Sequence, residues 1–182
     1  ARTISGIGNL CLIWIWSGDM AIIRVAGYVK LAKLWERNAP KAIEYQNDYY
    51  SLKFSDTSKY RLVGVFIDIT GKKEIYNRPE MLRLLHECEK GNIDVIAAQT
   101  RGYLAANTKE FCYLIHFLAT LDKKIEIVTE DDNYNINTAR NIDQQKEALQ
   151  KMACDYIALN PQDYLDWYSE VKNAIFDLCG DA

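Results

Sequence analysis

The 182-residue sequence has little of what marks several common classes of protein. It contains only two histidines and three prolines, and its five cysteines form no C-x-x-C pair. The cysteines are scattered, at Cys11, Cys88, Cys112, Cys154 and Cys179. This spacing argues against a zinc or redox motif and predicts buried thiols in a reducing compartment. Since the histidines lack metal-ligand spacing and no G-x-G-x-x-G or P-loop pattern is present, we expect no metal and no cofactor.

Long hydrophobic runs and an excess of basic residues are also missing. The apolar run from Leu10 to Trp16 is far shorter than the roughly 20 residues that span a membrane, and it lacks the flanks of a signal peptide. We therefore expect a cytoplasmic protein without membrane contact. The formal net charge of -3 disfavours a domain that binds DNA strongly on its own by neutralising phosphates.

The composition is that of a globular protein, with 49% apolar and 26% charged residues. We expect residues 1–19, which precede Met20, to be an upstream extension or a segment added for expression. Residues 20–135 are predicted to form an α/β domain, and residues 136–182 a helical region.

Four apolar, β-branched runs predict strands, at residues 21–29, 61–68, 93–98 and 124–129. Helical spacing lies between them, over 36–51, after Pro79, and around Phe111 and Leu114. Gly91 has the position of a helix C-cap. Such alternation predicts an α/β fold with a mostly parallel sheet of four to five strands and helices on both faces, since parallel strands need crossover connections.

Two amphipathic helices are predicted near the C-terminus, and the Asn160-Pro161 step separates them. Their apolar stripes are Ile142, Leu149, Met152 and Tyr156, and then Tyr164, Tyr168, Val171 and Ile175. The helices can fold back as a hairpin or present a stripe to a second copy, and we favour self-association. The segment from Asp131 to Ala182 contains ten carboxylates and four basic side chains. Its net charge is therefore -6, which repels phosphates.

Several short segments, in this order and spacing, resemble the N-terminal domain of serine site-specific recombinases, in particular the large subgroup that includes transposon and phage integrases. The segments are residues 42–50, 62–68, 77–81 and 89–96, and the resemblance covers about residues 21–132. It implies a resolvase-like sheet with flavodoxin-like topology, in which the first strand is central. It also implies a function in DNA recombination and association as a homodimer or with a recombinase partner.

The same resemblance locates the catalytic positions. The family cuts DNA with a serine hydroxyl in a Tyr-x-Arg-x-Ser pattern, and the matching residues here are Tyr28 to Ala32, with Lys30 in place of the arginine. Ala32 offers no nucleophile. The family's later Asp-Arg-x-x-Arg cluster, which stabilises transition-state charge, corresponds to Gly102, Tyr103 and Ala106. The resemblance therefore implies a domain that has lost its catalytic set.

Three further positions still match the family: Gln46, Asp68 and Arg78. We expect each to have a structural role. Asp68 is predicted to cap the Thr70-Gly71 turn, Arg78 to pair with a carboxylate at a helix start, and Gln46 to bridge backbone groups.

The leading hypothesis is an inactive recombinase-like domain that acts through protein-protein contacts, with weak or no DNA binding of its own. One alternative is an active recombinase on the same fold that uses Thr100, Ser51 or Thr108 as its hydroxyl. The other is a receiver-like or flavodoxin-like signalling domain that shares only the α/β topology.

Overall fold

The computed structural model describes residues 21–130 and 142–180. Its strands are β1 (Ile23–Leu31), β2 (Tyr60–Ile69), β3 (Val95–Ala98) and β4 (Glu126–Thr129). Its α-helices are α1 (Ala39–Lys53), α2 (Pro79–Glu89), α3 (Arg101–Leu104), α4 (Thr108–Ala119), α5 (Ile142–Leu159) and α6 (Pro161–Cys179). Two short 3-10 helices, Lys33–Asn38 and Ile75–Asn77, precede α1 and α2. The predicted extension before residue 20 lies outside the described residues.

The four strands form one parallel sheet in the order β2-β1-β3-β4. The central position of β1 and the parallel direction of every described strand confirm the predicted fold class. In such a sheet each crossover helix packs on one face, so both faces are covered.

Side chains of β1 alternate between two cores. Val25 and Val29 pack with Tyr50 of α1 on one face, while Ala26 and Tyr28 join the core formed with α2 and α4 on the other. Gly27 lies directly under the ring of Tyr50, and a Cβ at this position would come within 2.9 Å of ring carbons. A glycine is therefore required there by the close approach of α1.

The pairing of β1 with β2 contains one irregularity. Val25 pairs with Leu62, but the next residue, Ala26, pairs with Gly64. Val63 therefore has no opposite residue on β1, as in a β-bulge.

An ion pair joins the starts of β1 and β3. The guanidinium of Arg24 donates through Nε and Nη2 to the two carboxylate oxygens of Asp94, each at 3.0 Å, and the backbone N–H of Arg24 donates at 2.8 Å. Burial opposes ionisation of Asp94, but hydrogen bonds from Arg24 and Lys123 outweigh it and hold the pKa of this carboxyl well below its usual range.

Helix α2 follows its sequence signals closely. Pro79 occupies its first position, and the predicted stripe on its inner face, which includes Met81, Leu85 and Cys88, is fully buried. Gly91 follows the helix with a φ of 73°, a left-handed conformation that favours glycine.

The two C-terminal helices fold back onto the domain. On α6, Trp167, Val171 and Ile175 are buried in the core that contains α2 and α4. For α6 the structure therefore shows the folded-back arrangement of the hairpin alternative. Among residues 147–159 of α5, whose burial is described, only Ala153 is fully buried, whereas Met152 and Tyr156 of the predicted stripe are 39% and 37% exposed. The side chain of Ile142 lies outside the described residues.

Candidate functional site

Lys30, Ala32 and Asp68, three of the matched catalytic positions, lie at the carboxyl ends of β1 and β2, the edge at which parallel α/β sheets bind ligands. Lys30 pairs with Asp68 across β1 and β2, and Ala32 follows directly after β1 with an exposed side chain. Burial lowers the pKa of Lys30, and the nearby cation of Arg78 lowers it further, against the opposite effect of Asp68.

Asp68 is buried and fastens helix α2 to the sheet. Its carboxylate accepts hydrogen bonds from the phenol of Tyr28 at 2.9 Å and from the backbone N–H groups of Glu80 at 3.1 Å and Met81 at 3.0 Å. The expectation that Asp68 caps the Thr70-Gly71 turn was wrong. The residue before α2 is Arg78, which supplies no capping side chain, so the free N–H groups of the first turn take Asp68 instead.

Arg78 is completely buried, and its two terminal nitrogens donate to the protein itself, while its Nε has no acceptor among the described residues. Its Nη1 donates to the backbone carbonyls of Tyr103 at 2.8 Å and Leu104 at 3.1 Å, and its Nη2 donates to the carbonyl of Lys73. Glu110, in the first turn of α4, lies 3.8 Å from Nη2. Arg78 thus has a carboxylate partner at a helix start, as predicted, but most of its contacts are to backbone oxygen.

Glu110 is a site residue that the sequence reasoning missed. Its buried carboxylate accepts from the backbone N–H of Ile75 at 2.7 Å and of Ala106 at 2.8 Å, so it joins the loop after β2 to the loop after β3. A signal was available: Asn107 and Glu110 have the spacing of a capping box, and Asn107 accepts from the Glu110 N–H at 2.9 Å.

Gln46 does not bridge backbone groups as predicted. The residue is 6% exposed on the inner side of α1, and its Oε1 has no donor within the described parts of the chain. The predicted bridge therefore lacks its acceptor side, because an amide oxygen without a donor cannot join a backbone N–H.

The segment after β3 forms the short helix α3, which the sequence reasoning did not predict. Thr100 caps it, and its Oγ1 accepts from the N–H of Gly102. Gly102 and Ala106 are exposed, while Tyr103 is half-buried and packs against both cores. The guanidinium of Arg101 lies 5.5 Å from the ring centroid of Phe111, over the start of α4.

The family model described as "Resolvase, N terminal domain" matches residues 38–170. The chain belongs to the resolvase N-terminal domain family. No curated protein sequence matches it.

Solved structures of serine recombinases resemble this resolvase-type domain. The N-terminal catalytic domain of TP901-1 integrase is 14% identical, with a TM-score of 0.52, over 75% of this chain and 98% of that one. The catalytic domain of ISC1926 TnpA, an IS607-like serine recombinase, is 18% identical, with a TM-score of 0.46, over 87% of this chain and 100% of that one. A resolvase family recombinase from Streptococcus pneumoniae is 11% identical, with a TM-score of 0.46, over 81% and 98%. At these identities the likeness to TP901-1 integrase shows the fold alone.

Membership of the resolvase family decides against the signalling-domain alternative. The hydroxyls suspected in the active alternative are dispersed over this resolvase domain. Ser51 is exposed near the end of α1, Thr108 is exposed at the start of α4, and Thr100 is the cap of α3.

The cysteine prediction holds only in part for this resolvase domain. Cys88 and Cys112 are buried, but Cys179 is half-buried and Cys154 is exposed, with its sulfur 3.9 Å from Nδ1 of His116. The buried residue Ala153 marks the inner face of α5. Cys154, one residue later along the helix, therefore faces outward. Cys11 lies outside the described residues.

Within residues 21–130 and 142–180, no group of three or more His, Cys, Asp or Glu side chains could hold a metal ion. None of the helices in those ranges has both the length and the apolar character that crossing a bilayer requires.

Proposed function

We propose that this chain is a recombination-related domain that does not cut DNA and that acts through protein-protein contacts, with itself or with an active recombinase. The proposal rests on Ala32, which lies directly after β1 at the carboxyl edge and has a methyl group at the position that the resemblance matches to the family's nucleophile. Attack on a phosphodiester needs a hydroxyl within reach of a held phosphate, and alanine has none.

The charged donors of the reaction are also depleted. Lys30 has a point charge where the family has the planar fork of arginine, and Tyr103 and Ala106 have no cation. Arg78 keeps its guanidinium, but that group is fully buried against backbone carbonyls. Loss of one preorganised donor typically lowers a rate by about 100- to 1,000-fold, so the combined loss supports an inactive site.

Trapping on nicked suicide substrates tests the absence of cleavage. We expect no covalent protein-DNA band on a denaturing gel, with an active serine recombinase on its own site as the positive control. A band from the unmodified protein would overturn the proposal and favour Thr100, Ser51 or Thr108 as the nucleophile.

Partial restoration of the site sharpens this test. Ala32→Ser alone should still form no adduct, because the transition-state charge would lack its donors. Lys30→Arg, Tyr103→Arg and Ala106→Arg would be needed as well. Each variant must first give the far-UV circular dichroism of the parent protein, since Tyr103 packs in the core. An adduct from Ala32→Ser alone would contradict the argument about the donors.

The outer face of α5 is the surface we assign to protein-protein contact. Met152, Tyr156 and Leu159 recur there at helical spacing and are 39%, 37% and 83% exposed, and Tyr156 borders α4, with its ring centroid 6.4 Å from that of Tyr113. An exposed apolar stripe of this kind suits a second recombinase-like domain. We further propose that the protein works in the cytoplasm and that its own DNA binding is weak or absent, because the C-terminal region is acidic.

Light scattering tests this contact. We expect a dimer whose association is weakened in the double variant Met152→Asp and Tyr156→Asp. Leu52→Asp, at a 78% exposed apolar residue on α1, is the matched control and should leave the dimer intact. A monomeric parent protein at high micromolar concentration would contradict the self-association part of the proposal.

A further inference from the structure

A polar cleft includes Ala106, one of the matched positions, but is not lined by Lys30 or Ala32. It has a volume of about 470 Å³ and opens between the loop before α2, the start of α4 and the start of α6. Four carboxylates at its walls are partly or fully exposed, those of Glu74, Asp163, Asp166 and Glu170. Two lysines, Lys73 and Lys109, offset them only in part. The cleft therefore favours a positively charged occupant.

Aromatic rings give the cleft a second means, besides its carboxylates, of recognising a cation. Tyr76, Tyr113 and Trp167 line it together with the carboxylates. Ring faces attract ammonium and guanidinium groups, and Lys109 already lies 5.8 Å from the ring centroid of Tyr113.

Trp167 is a second, independent sign of an occupant. It is 7% exposed, and its indole Nε1 has no acceptor within the described ranges. A buried donor without a partner typically costs about 1–3 kcal/mol. A metal ion or a polyamine offers no acceptor, whereas a basic polypeptide segment offers a cation for the carboxylates and a backbone carbonyl for the indole.

The chain itself has a segment with this chemistry. Lys33, Arg37 and Lys41 follow β1 at intervals of four residues, and we call them the basic row. All three are exposed, and none makes an ion pair in the described part of the chain. Leu34 and Trp35, beside the row, are 73% and 45% exposed, so apolar contact area adjoins the charges.

We propose that the basic row of one copy docks in the acidic cleft of a second copy. The row precedes and begins α1, on one face of the sheet, while the cleft lies among α4 and α6 on the other face. Within one molecule no ion pair joins the described row and cleft side chains, so their charge complementarity is left to be satisfied between molecules. This contact is separate from the outer face of α5 and does not depend on it.

Charge reversal with rescue tests the proposal on the full 182-residue chain, by sedimentation velocity. The cleft variant carries Asp166→Lys and Glu170→Lys, and the row variant carries Lys33→Glu and Arg37→Glu. Each variant alone should associate at least about tenfold more weakly than the parent, and raising NaCl from about 50 to about 500 mM should weaken the parent by a similar factor. An equimolar mixture of the two variants should associate as heteromers, because it pairs an acidic row with a basic cleft.

The control reverses two exposed lysines elsewhere, Lys59→Glu with Lys90→Glu, and should associate like the parent. Circular dichroism and thermal melting must show that all variants fold. The proposal is overturned if the mixture is not rescued, or if either variant alone associates like the parent. It is also overturned if the row variant loses binding to a labelled DNA duplex while its self-association is unchanged. In that case the basic row would bind DNA phosphates and not the acidic cleft. The variant Met152→Asp with Tyr156→Asp should retain this salt-sensitive contact, so the two interfaces fail separately.

Discussion

The phenol of Tyr28 donates a hydrogen bond of 2.9 Å to Oδ2 of Asp68, in the interior between β1, β2 and α2. Burial, and then the carboxylate of Asp68, raises the pKa of Tyr28 well above its usual range, so the phenol stays protonated and remains a donor. Asp68 in turn holds two N–H groups of α2. A tyrosine of the recombinase pattern thus stabilises the helix that follows the second strand.

A double-mutant cycle on this pair should show coupling. We expect Tyr28→Phe to lower the free energy of unfolding by about 0.5–1.5 kcal/mol and Asp68→Ala by about 2–4 kcal/mol, because the latter also frees the N–H groups of Glu80 and Met81. The interaction energy should be about 0.5–1.5 kcal/mol in urea denaturation. Tyr45→Phe, at a 63% exposed tyrosine, is the matched control. Strict additivity of the two changes would contradict the role given to the hydrogen bond.

Replacing Arg78 should cost stability even by the conservative change. Arg78→Lys removes the fork that reaches the carbonyls of Tyr103 and Leu104 and leaves a buried ammonium with fewer partners. We expect a loss of about 2–4 kcal/mol in the free energy of unfolding, measured by urea denaturation. Arg83→Lys on the exposed side of α2 should change it by less than about 0.5 kcal/mol. Equal effects at the two positions would show that Arg78 is not a structural arginine.

Gly27→Ala should destabilise the protein, because its Cβ would lie 2.9 Å from the ring of Tyr50. Overpacking of this kind typically costs about 1–3 kcal/mol. Gly71→Ala is the control, since a Cβ at that position meets nothing within 4 Å. Thermal denaturation of both variants checks the prediction, and a melting temperature for Gly27→Ala equal to that of the control would contradict the packing of α1 on β1.

Asp94 should give the protein an acid-sensitive stability. Its pKa is depressed in the folded state, so its contribution is present above the unfolded value of about 3.9 and is lost as pH falls towards the folded value. We expect Asp94→Asn to lose about 1–2 kcal/mol at neutral pH, with a deficit that shrinks below about pH 4. Chemical denaturation across pH 2.5–7, roughly, measures this. A constant deficit for Asp94→Asn at every pH would refute the linkage.

Local sequence signals predicted most of the fold and less of the site. Strands with β-branched runs, and helix α2 between Pro79 and Gly91, were identifiable because their determinants are adjacent in the chain. The partners of Asp68 could not be identified from the sequence. The N–H groups that it caps lie 12 and 13 residues later, and the pairing depends on tertiary placement. Helix α3 was missed because a single four-residue turn has no periodicity to detect, although Thr100 is a suitable cap. The exposure of Cys154 depends on which face of α5 meets α4, and amphipathic spacing alone left that orientation open.

The unpaired Val63 determines which way the second half of β2 faces. Before it, Tyr60 and Leu62 point to α1; after it, the odd-numbered Val65 and Ile67 do so, and Asp68 points to the opposite core. In an uninterrupted strand, strict alternation would turn Asp68 towards α1 and away from Tyr28. Val63 itself is 40% exposed and belongs to neither core. Deleting Val63 would let Leu62 and Gly64 pair in sequence with Val25 and Ala26 and would leave Asp68 on the side of Tyr28. The extra residue is therefore what allows a strand of ten residues to present its carboxylate to the correct side of the sheet.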